Sequence, residues 1–158
     1  MKYYAIYNTK TEQLSRAQVK CLNAECINME VSKDVYDNLE KYIYQDGELV
    51  LNPNYEAEQQ AKEQERIAML SLTAADVERG IYKATGMDFD DIVAKVTEIA
   101  SGDALAMTID IKALKIELKA NNFYRGNPYV DAVGSLLGFT KEQLDAFFET
   151  NDYAKLMG

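Results

Sequence analysis

A chain of 158 residues with 47% hydrophobic content and a net charge of −9 carries enough apolar material for a core. The negative balance argues against binding nucleic acid directly through clustered Lys and Arg, and against docking on an anionic membrane surface. Histidine is absent, which removes Ser-His-Asp and Cys-His nucleophilic catalysis.

The N-terminus, MKYYAIYNTK, lacks the apolar stretch and small-residue cleavage site of a signal peptide, and no apolar run reaches the roughly eighteen residues of a membrane span. A cytoplasmic protein is therefore expected. Tyr3 to Tyr7 has the composition of a strand, and Asn8 to Thr11 that of a turn. Val19 to Leu22 and Ile27 to Val31 are two further short strand candidates, with a turn at Asn23 to Glu25. Ser32 is placed to cap a short helix, SKDVYDNLEKY, with Val31 and Tyr36 as a hydrophobic staple and Val35, Leu39 and Tyr42 as its buried stripe. Tyr42-Ile43-Tyr44 and Glu48 to Leu51 flank Gln45-Asp46-Gly47, and Asp-Gly is a strong tight-turn signal, so a hairpin is predicted here. Residues 1–53 thus read as a small antiparallel, β-rich head with one helix. Seven of the 11 tyrosines fall at positions 3, 4, 7, 36, 42, 44 and 55. They suit half-buried strand positions, and equally an interaction surface.

Residues 54–72, NYEAEQQAKEQERIAMLSL, are the most polar stretch and are rich in helix formers. Pro53 breaks the preceding pattern. Glu56 and Glu58 suit the positive end of a helix dipole, and Glu58 with Lys62 forms an i,i+4 pair in the favourable order. Only Ile67, Met69, Leu70 and Leu72 are apolar enough to bury. The stretch reads as a charged connecting helix, solvated or used as a docking arm.

Residues 73–158 carry a succession of helix start and stop signals and read as a helical bundle. Thr73 caps TAADVERGIYKATG, which Gly86 stops; Asp88 caps DFDDIVAKVTEIASG, with Gly102 as its stop. Ile109 to Asn122 is predicted as a third helix with Ile111, Leu114 and Leu118 on one face. Asn127-Pro128 opens a fourth that Gly138 ends. Thr140 and Gln143 make a capping box for a last helix whose apolar face is Leu144, Phe147 and Phe148. The whole is an α+β chain.

Chemistry-bearing patterns are sparse. Cys21 and Cys26 are spaced C-x4-C, neither a redox C-x-x-C nor half of a zinc site with a visible partner, and read as small buried hydrophobes. Asp88, Asp90 and Asp91 cluster where a helix start wants negative charge and lack the glycine and distal glutamate of a calcium loop. No glycine-rich phosphate loop occurs, so neither metal nor cofactor is expected. Asn121 to Tyr129, NNFYRGNPY, is the most distinctive local stretch. Phe123, Tyr124 and Arg125 form either a surface recognition corner or a loop whose aromatics plug the core while Arg125 pairs with an acid.

Two segments, VYDNLEKYIYQDGELVLNPNYEAEQQAKEQERIAMLSLTAADV (35–77) and NNFYRGNPYVDAVGSLLGFTKEQLDAFFETNDY (121–153), resemble small proteins of bacteriophages and prophages of gut Firmicutes encoded near tail-fibre and baseplate genes. The resemblance implies a non-enzymatic protein of tail-fibre or baseplate assembly, working in the bacterial host cytoplasm or within the virion tail. Its partner is then a tail or fibre protein or a second copy of itself, with no direct nucleic-acid or membrane contact. The expected partner surface is the head face with Tyr3, Tyr7, Tyr42 and Tyr44, the helix residues Tyr55, Glu58 and Arg66, and the corner Phe123, Tyr124 and Arg125. The −9 charge also fits a second class, an acidic anti-defence protein that blocks a DNA-binding host nuclease by mimicking DNA.

Overall fold

A four-residue turn sets the register of the first sheet. Asn8 Oδ1 accepts from the backbone N–H groups of Lys10 and Thr11 at 2.9 and 3.1 Å, and Glu12 takes a left-handed φ of 56°. The chain therefore re-enters the ladder at once, with Gln13 opposite Asn8. The computed structural model describes residues 1–100 and 109–158. In it, β1 (Tyr3–Asn8) pairs antiparallel with β2 (Gln13–Ala17) on one side and β3 (Cys26–Val31) on the other. The second strand is thus not Val19 to Leu22, as expected, but the more polar QLSRA. Turn geometry overrides composition there, and Val19 and Leu22 are left exposed.

Directly opposed residues share a face, so Tyr3, Ala5 and Tyr7 stand with Leu14, Arg16, Ile27, Met29 and Val31. This face is mostly apolar. Ser32 caps α1 (Lys33–Asp37) by accepting from Val35 N–H at 3.2 Å. The helix is shorter than SKDVYDNLEKY suggests. Asn38 donates its side-chain amide to the Asp34 carbonyl at 2.9 Å and adopts φ −115°, ψ 30°, and a 3-10 turn over Leu39–Lys41 follows. β4 (Tyr42–Gln45) and β5 (Glu48–Leu51) form the expected hairpin. Its two-residue loop places Asp46 at φ 51° and Gly47 at φ 93°, the pair of positive values that a type I′ turn requires.

α2 (Tyr55–Ala68) ends before its apolar tail is used. Leu70 to Leu72 leave the helix, and β6 (Ser71–Thr73) pairs antiparallel with β7 (Asn122–Tyr124). Two expectations are corrected by this ladder. The rear of the chain is not helices only, and the helix expected over residues 109–122 is α5 (Ile111–Glu117), capped by Leu118. Asn121 to Tyr124 are held by backbone bonds to residues 71–74 instead.

The remaining helices follow their capping signals. Thr73 accepts from Asp76 N–H at the start of α3 (Ala74–Thr85), and Gly86 closes it at φ 77°. Asp88 and Asp91 cap each other's backbone reciprocally at the start of α4 (Phe89–Ala100); the stop expected at Gly102 lies outside the described residues. Asn127 with Pro128 starts α6 (Pro128–Leu136). Thr140 and Gln143 complete the capping box of α7 (Lys141–Thr150), and a 3-10 turn over Tyr153–Leu156 ends the fold. The fold is α+β, with antiparallel strands preceding most of the helices. No helix among the described residues is long and apolar enough to cross a membrane.

The chain divides into two compact units, Met1–Gln60 and Ala61–Gly158, and the division falls inside α2. The second unit has two buried clusters. One gathers Val77, Phe123, Leu144, Phe147, Phe148 and Leu156; the other gathers Ile92, Val96, Leu114 and Val133. Ile81, Phe89 and Leu118 pack against both and make them continuous. Gly80 in α3 sits against the ring of Phe147, where an added Cβ would lie 2.4 Å from Cζ. Phe147 is only 2% exposed, so relieving that contact means repacking a buried ring. Replacing a mid-helix glycine by alanine normally gains up to about 1 kcal/mol, whereas overpacking a core costs about 1–3 kcal/mol. Gly80→Ala is therefore expected to lower the thermal midpoint, as followed by circular dichroism, and a raised midpoint would refute the close helix packing.

Candidate interaction surface

The tyrosines of the N-terminal unit are placed by strand periodicity and used by packing. Tyr3 and Tyr7 stand on the apolar face of β1, while Tyr42 and Tyr44 share one face of the hairpin with Leu49 and Leu51. Tyr7 stacks on Tyr44 with ring centroids 4.2 Å apart, and Tyr3 tilts against Tyr36 at 4.9 Å. Tyr3, Tyr7, Tyr42, Tyr44 and Tyr55 are all half-buried, so each keeps part of its surface in solvent. Leu51, at the open end of the hairpin, is 64% exposed.

In α2 every residue from Glu56 to Arg66 is exposed, and the helix buries none of its side chains fully. Glu58 accepts from the Asn52 side chain at 3.2 Å across the helix start. Arg66 grips two acids: its guanidinium lies 2.8 Å from Glu63 and 2.8 Å from Glu149 on α7. Those bonds hold the Glu63 and Glu149 carboxyls below their ordinary range and raise Arg66. Asp76 is lowered as well, chiefly by the hydroxyl of Thr73 and then by Arg79.

The corner at Phe123, Tyr124 and Arg125 is split by strand alternation. Phe123 and Arg125 point inward at 6% and 3% exposure, and Tyr124 points outward. Arg125 continues the ladder by donating its backbone N–H to Leu70 at 2.8 Å. Its guanidinium reaches Asp145 on α7 at 2.6 Å and Asp131 on α6 at 2.7 Å, and Nη2 donates weakly to the Lys141 carbonyl at 3.5 Å. Lys141 stands 3.8 Å from Asp145, so two cations and two anions form one node. Gly126 lies so close to the end of α2 that a Cβ would meet the Ala68 carbonyl at 3.0 Å.

Sequence reasoning anticipated an acid for Arg125 but did not name Asp131 or Asp145. The i,i+4 pair Lys141 and Asp145 was the available signal. It also treated Cys21 and Cys26 as buried hydrophobes, whereas both are only half-buried. Their positions on either side of the Asn23–Glu25 turn were the missed clue. Among the described residues no group of three or more Cys, Asp or Glu converges on a metal-sized site. A cavity of about 50 Å³ inside the second unit, lined by Ile81, Phe89, Leu114, Leu118 and Phe123 among others, lies where the two buried clusters meet and is almost wholly apolar. No protein-family model matches the chain, and no curated protein or solved structure is significantly similar to it.

Two predictions follow from these charges. Removing one partner of a buried ion pair strands the other, at a cost of about 3–5 kcal/mol. Arg125→Ala should therefore lower the stability measured by urea unfolding by that order, and Arg125→Lys should recover only part, since an ammonium cannot span both carboxylates as a guanidinium fork does. Separately, a carboxyl held low in the folded state stabilises above its unfolded value and loses that contribution as pH falls through its folded value. Stability should thus decline on acidification below the ordinary carboxylate range through Asp76, Glu63 and Glu149. Arg66→Gln should flatten that decline, as read from thermal midpoints across a pH series.

Proposed function

We propose that this is a non-enzymatic, phage-derived interaction protein that serves tail-fibre or baseplate assembly. The observation that carries the reading is α2: eleven consecutive exposed residues, Glu56 to Arg66, in a helix that buries no residue fully. Most helices of globular proteins are stabilised by burying an apolar face, and one that stays polar all round bridges through solvent or is held by its own ion pairs, which leaves its surface open to a partner. The resemblance of residues 35–77 and 121–153 to phage-encoded tail-region proteins supports the same reading, because the first segment contains this helix whole.

Partner recognition then falls on the exposed carboxylates and amides of α2. An acidic helix of this kind selects a basic partner surface and speeds the encounter electrostatically. The partner is a tail or fibre protein, or a second copy of the chain.

A second reading rests on the same helix. Glu56, Glu58, Glu63 and Glu65 present exposed acids along α2, as a DNA mimic that blocks a host nuclease would require. It is the weaker reading, because Lys62 interrupts the row and Arg66 neutralises both Glu63 and Glu149.

The deciding measurement is absolute mass by light scattering, with the protein alone and mixed with tail-fibre and baseplate proteins from its own genome. A closed homo-oligomer or a stable complex is the expected outcome. Reversing Glu56, Glu58 and Glu65 to Lys should weaken that complex at least tenfold at a cost of about 1–3 kcal/mol in fold stability, since Glu56 and Glu58 also suit the start of the helix, with circular dichroism confirming that the fold is kept. A monomer that ignores every tail protein and instead inhibits a DNA-binding nuclease would overturn the assembly role.

A further inference from the structure

We propose that Cys21 and Cys26 form a redox-active dithiol site that closes reversibly to an intramolecular disulfide by exchange with a low-molecular-weight disulfide such as oxidised glutathione. The two Sγ atoms stand 2.7 Å apart, within bridging reach of each other and beyond the roughly 2.05 Å of a formed S–S bond.

Neither cysteine is held there by sulfur. Cys26 opens β3 opposite Asn8, and its backbone N–H donates to the Asn23 carbonyl at 3.0 Å, closing the turn between the two cysteines. Cys21 is clamped by the side chain of Asn28, which accepts from the Cys21 N–H at 2.7 Å and donates to its carbonyl at 2.9 Å. The Asn28 amide thereby imitates a strand neighbour for a residue outside any strand. Thr9 pins the turn from the other side, its backbone N–H and hydroxyl both donating to the Glu25 carbonyl. Five bonds that involve no sulfur therefore bring the two thiols together, so the loss of freedom that ring closure demands has already occurred on folding.

The pair is also reachable. Both residues are half-exposed and stand at the rim of an open groove over β1 and β2, beside Ile6 and Ser15. The shared hydrogen bond between the sulfurs lowers the Cys21 thiol and raises that of Cys26. Cys21 is thus the attacking sulfur, because the thiolate is the nucleophile.

The exchange balances without any other reactant. The Cys21 thiolate attacks one sulfur of the small disulfide, the S–S bond breaks, and one small thiol leaves with the proton that Cys21 lost. Cys26 then attacks Cys21 Sγ, the mixed disulfide breaks, and the second small thiol leaves with the proton of Cys26. The protein loses two electrons and two protons, and the small disulfide is reduced to two thiols.

The test is a titration of the native protein with mixtures of oxidised and reduced glutathione, quenched in acid and read by intact mass. The expected product is lighter than the starting protein by two hydrogen atoms and returns to the dithiol with dithiothreitol. Cys21→Ser and Cys26→Ser should each instead retain one glutathione on the remaining thiol. Because the fold holds the sulfurs together, closure in native buffer should need at least about tenfold less oxidising conditions than in concentrated urea. Persistent glutathione adducts on the wild-type protein, an unreacted dithiol, or equal closure in buffer and urea would overturn the proposal.

Discussion

Backbone pairing of residues 121–126 with residues 68–74 is the constraint on which the C-terminal unit depends. The Ala74 N–H donates to the Asn121 carbonyl, the β6–β7 ladder follows, and the N–H groups of Arg125 and Gly126 then reach the carbonyls of Leu70 and Ala68. This run joins the start of the unit to the segment between α5 and α6, some fifty residues later in the chain. It also fixes which side chains enter the interior. The strand period of two sends Phe123 and Arg125 inward and leaves Asn122 and Tyr124 in solvent. Phe123 then meets Phe89 edge-on at 5.7 Å, which ties the α3–α7 cluster to the start of α4. A one-residue slip would bury Asn122 and Tyr124 in their place and empty both the aromatic and the ionic positions.

The charge that this ladder buries is the most consequential one among the described residues. An isolated guanidinium at 3% exposure is costly, and it persists because two carboxylates from two different helices meet it. Asp131 remains half in solvent, whereas Asp145 is largely enclosed, so the pair with Asp145 carries most of the dependence on geometry. A buried ion pair of this kind adds little net stability over apolar side chains of the same volume. What it supplies is direction: α6 and α7 must present Asp131 and Asp145 to one point, and alternative helix packings leave the cation unpaired. The exposed pairs, Lys2 with Glu30 or Lys33 with Asp37, impose no such condition.

Local chemistry was legible in the sequence wherever it decides structure by itself. The caps at Ser32, Thr73, Asn127 and Thr140, the stops at Gly86 and Gly138, and the Asp46-Gly47 hairpin all depend on bonds within a few residues, and all form as read. Most of the failures are non-local. QLSRA becomes a strand because a neighbouring turn feeds it into the ladder, against its own composition. Leu72 and Phe123 become strand partners across a long separation that no local pattern encodes. Helix periodicity at Ile111, Leu114 and Leu118 continues past the point where Asn121 and Asn122 are claimed by β6, and the tertiary pairing wins. For the candidate surface, the sequence put Tyr3, Tyr7, Tyr42 and Tyr44 on strands but did not give their packing. It could not tell that Tyr7 would find Tyr44, or that Phe123 and Arg125 would turn away from solvent while Tyr124 would not.

The proposed interaction role rests on what these demands leave over. In the N-terminal unit the tyrosine rings are spent on joining the sheet to α1 and the hairpin, so only their rims remain for a partner. In the C-terminal unit the aromatic and ionic residues of the 121–129 segment are spent on packing, with Tyr124 the exception. α2 stands apart because its exposed stretch is spent on so little: one contact from Glu58 to Asn52, and the grip of Arg66 on Glu63 and Glu149. A fourteen-residue helix of this polarity is marginal by propensity alone, and the division between the two units falls inside it. Selection for the connection itself would be met by any soluble linker. A sequence that keeps strong helix formers and exposed carboxylates over that length, with few contacts inside the chain, leaves open the surface that the proposed role requires.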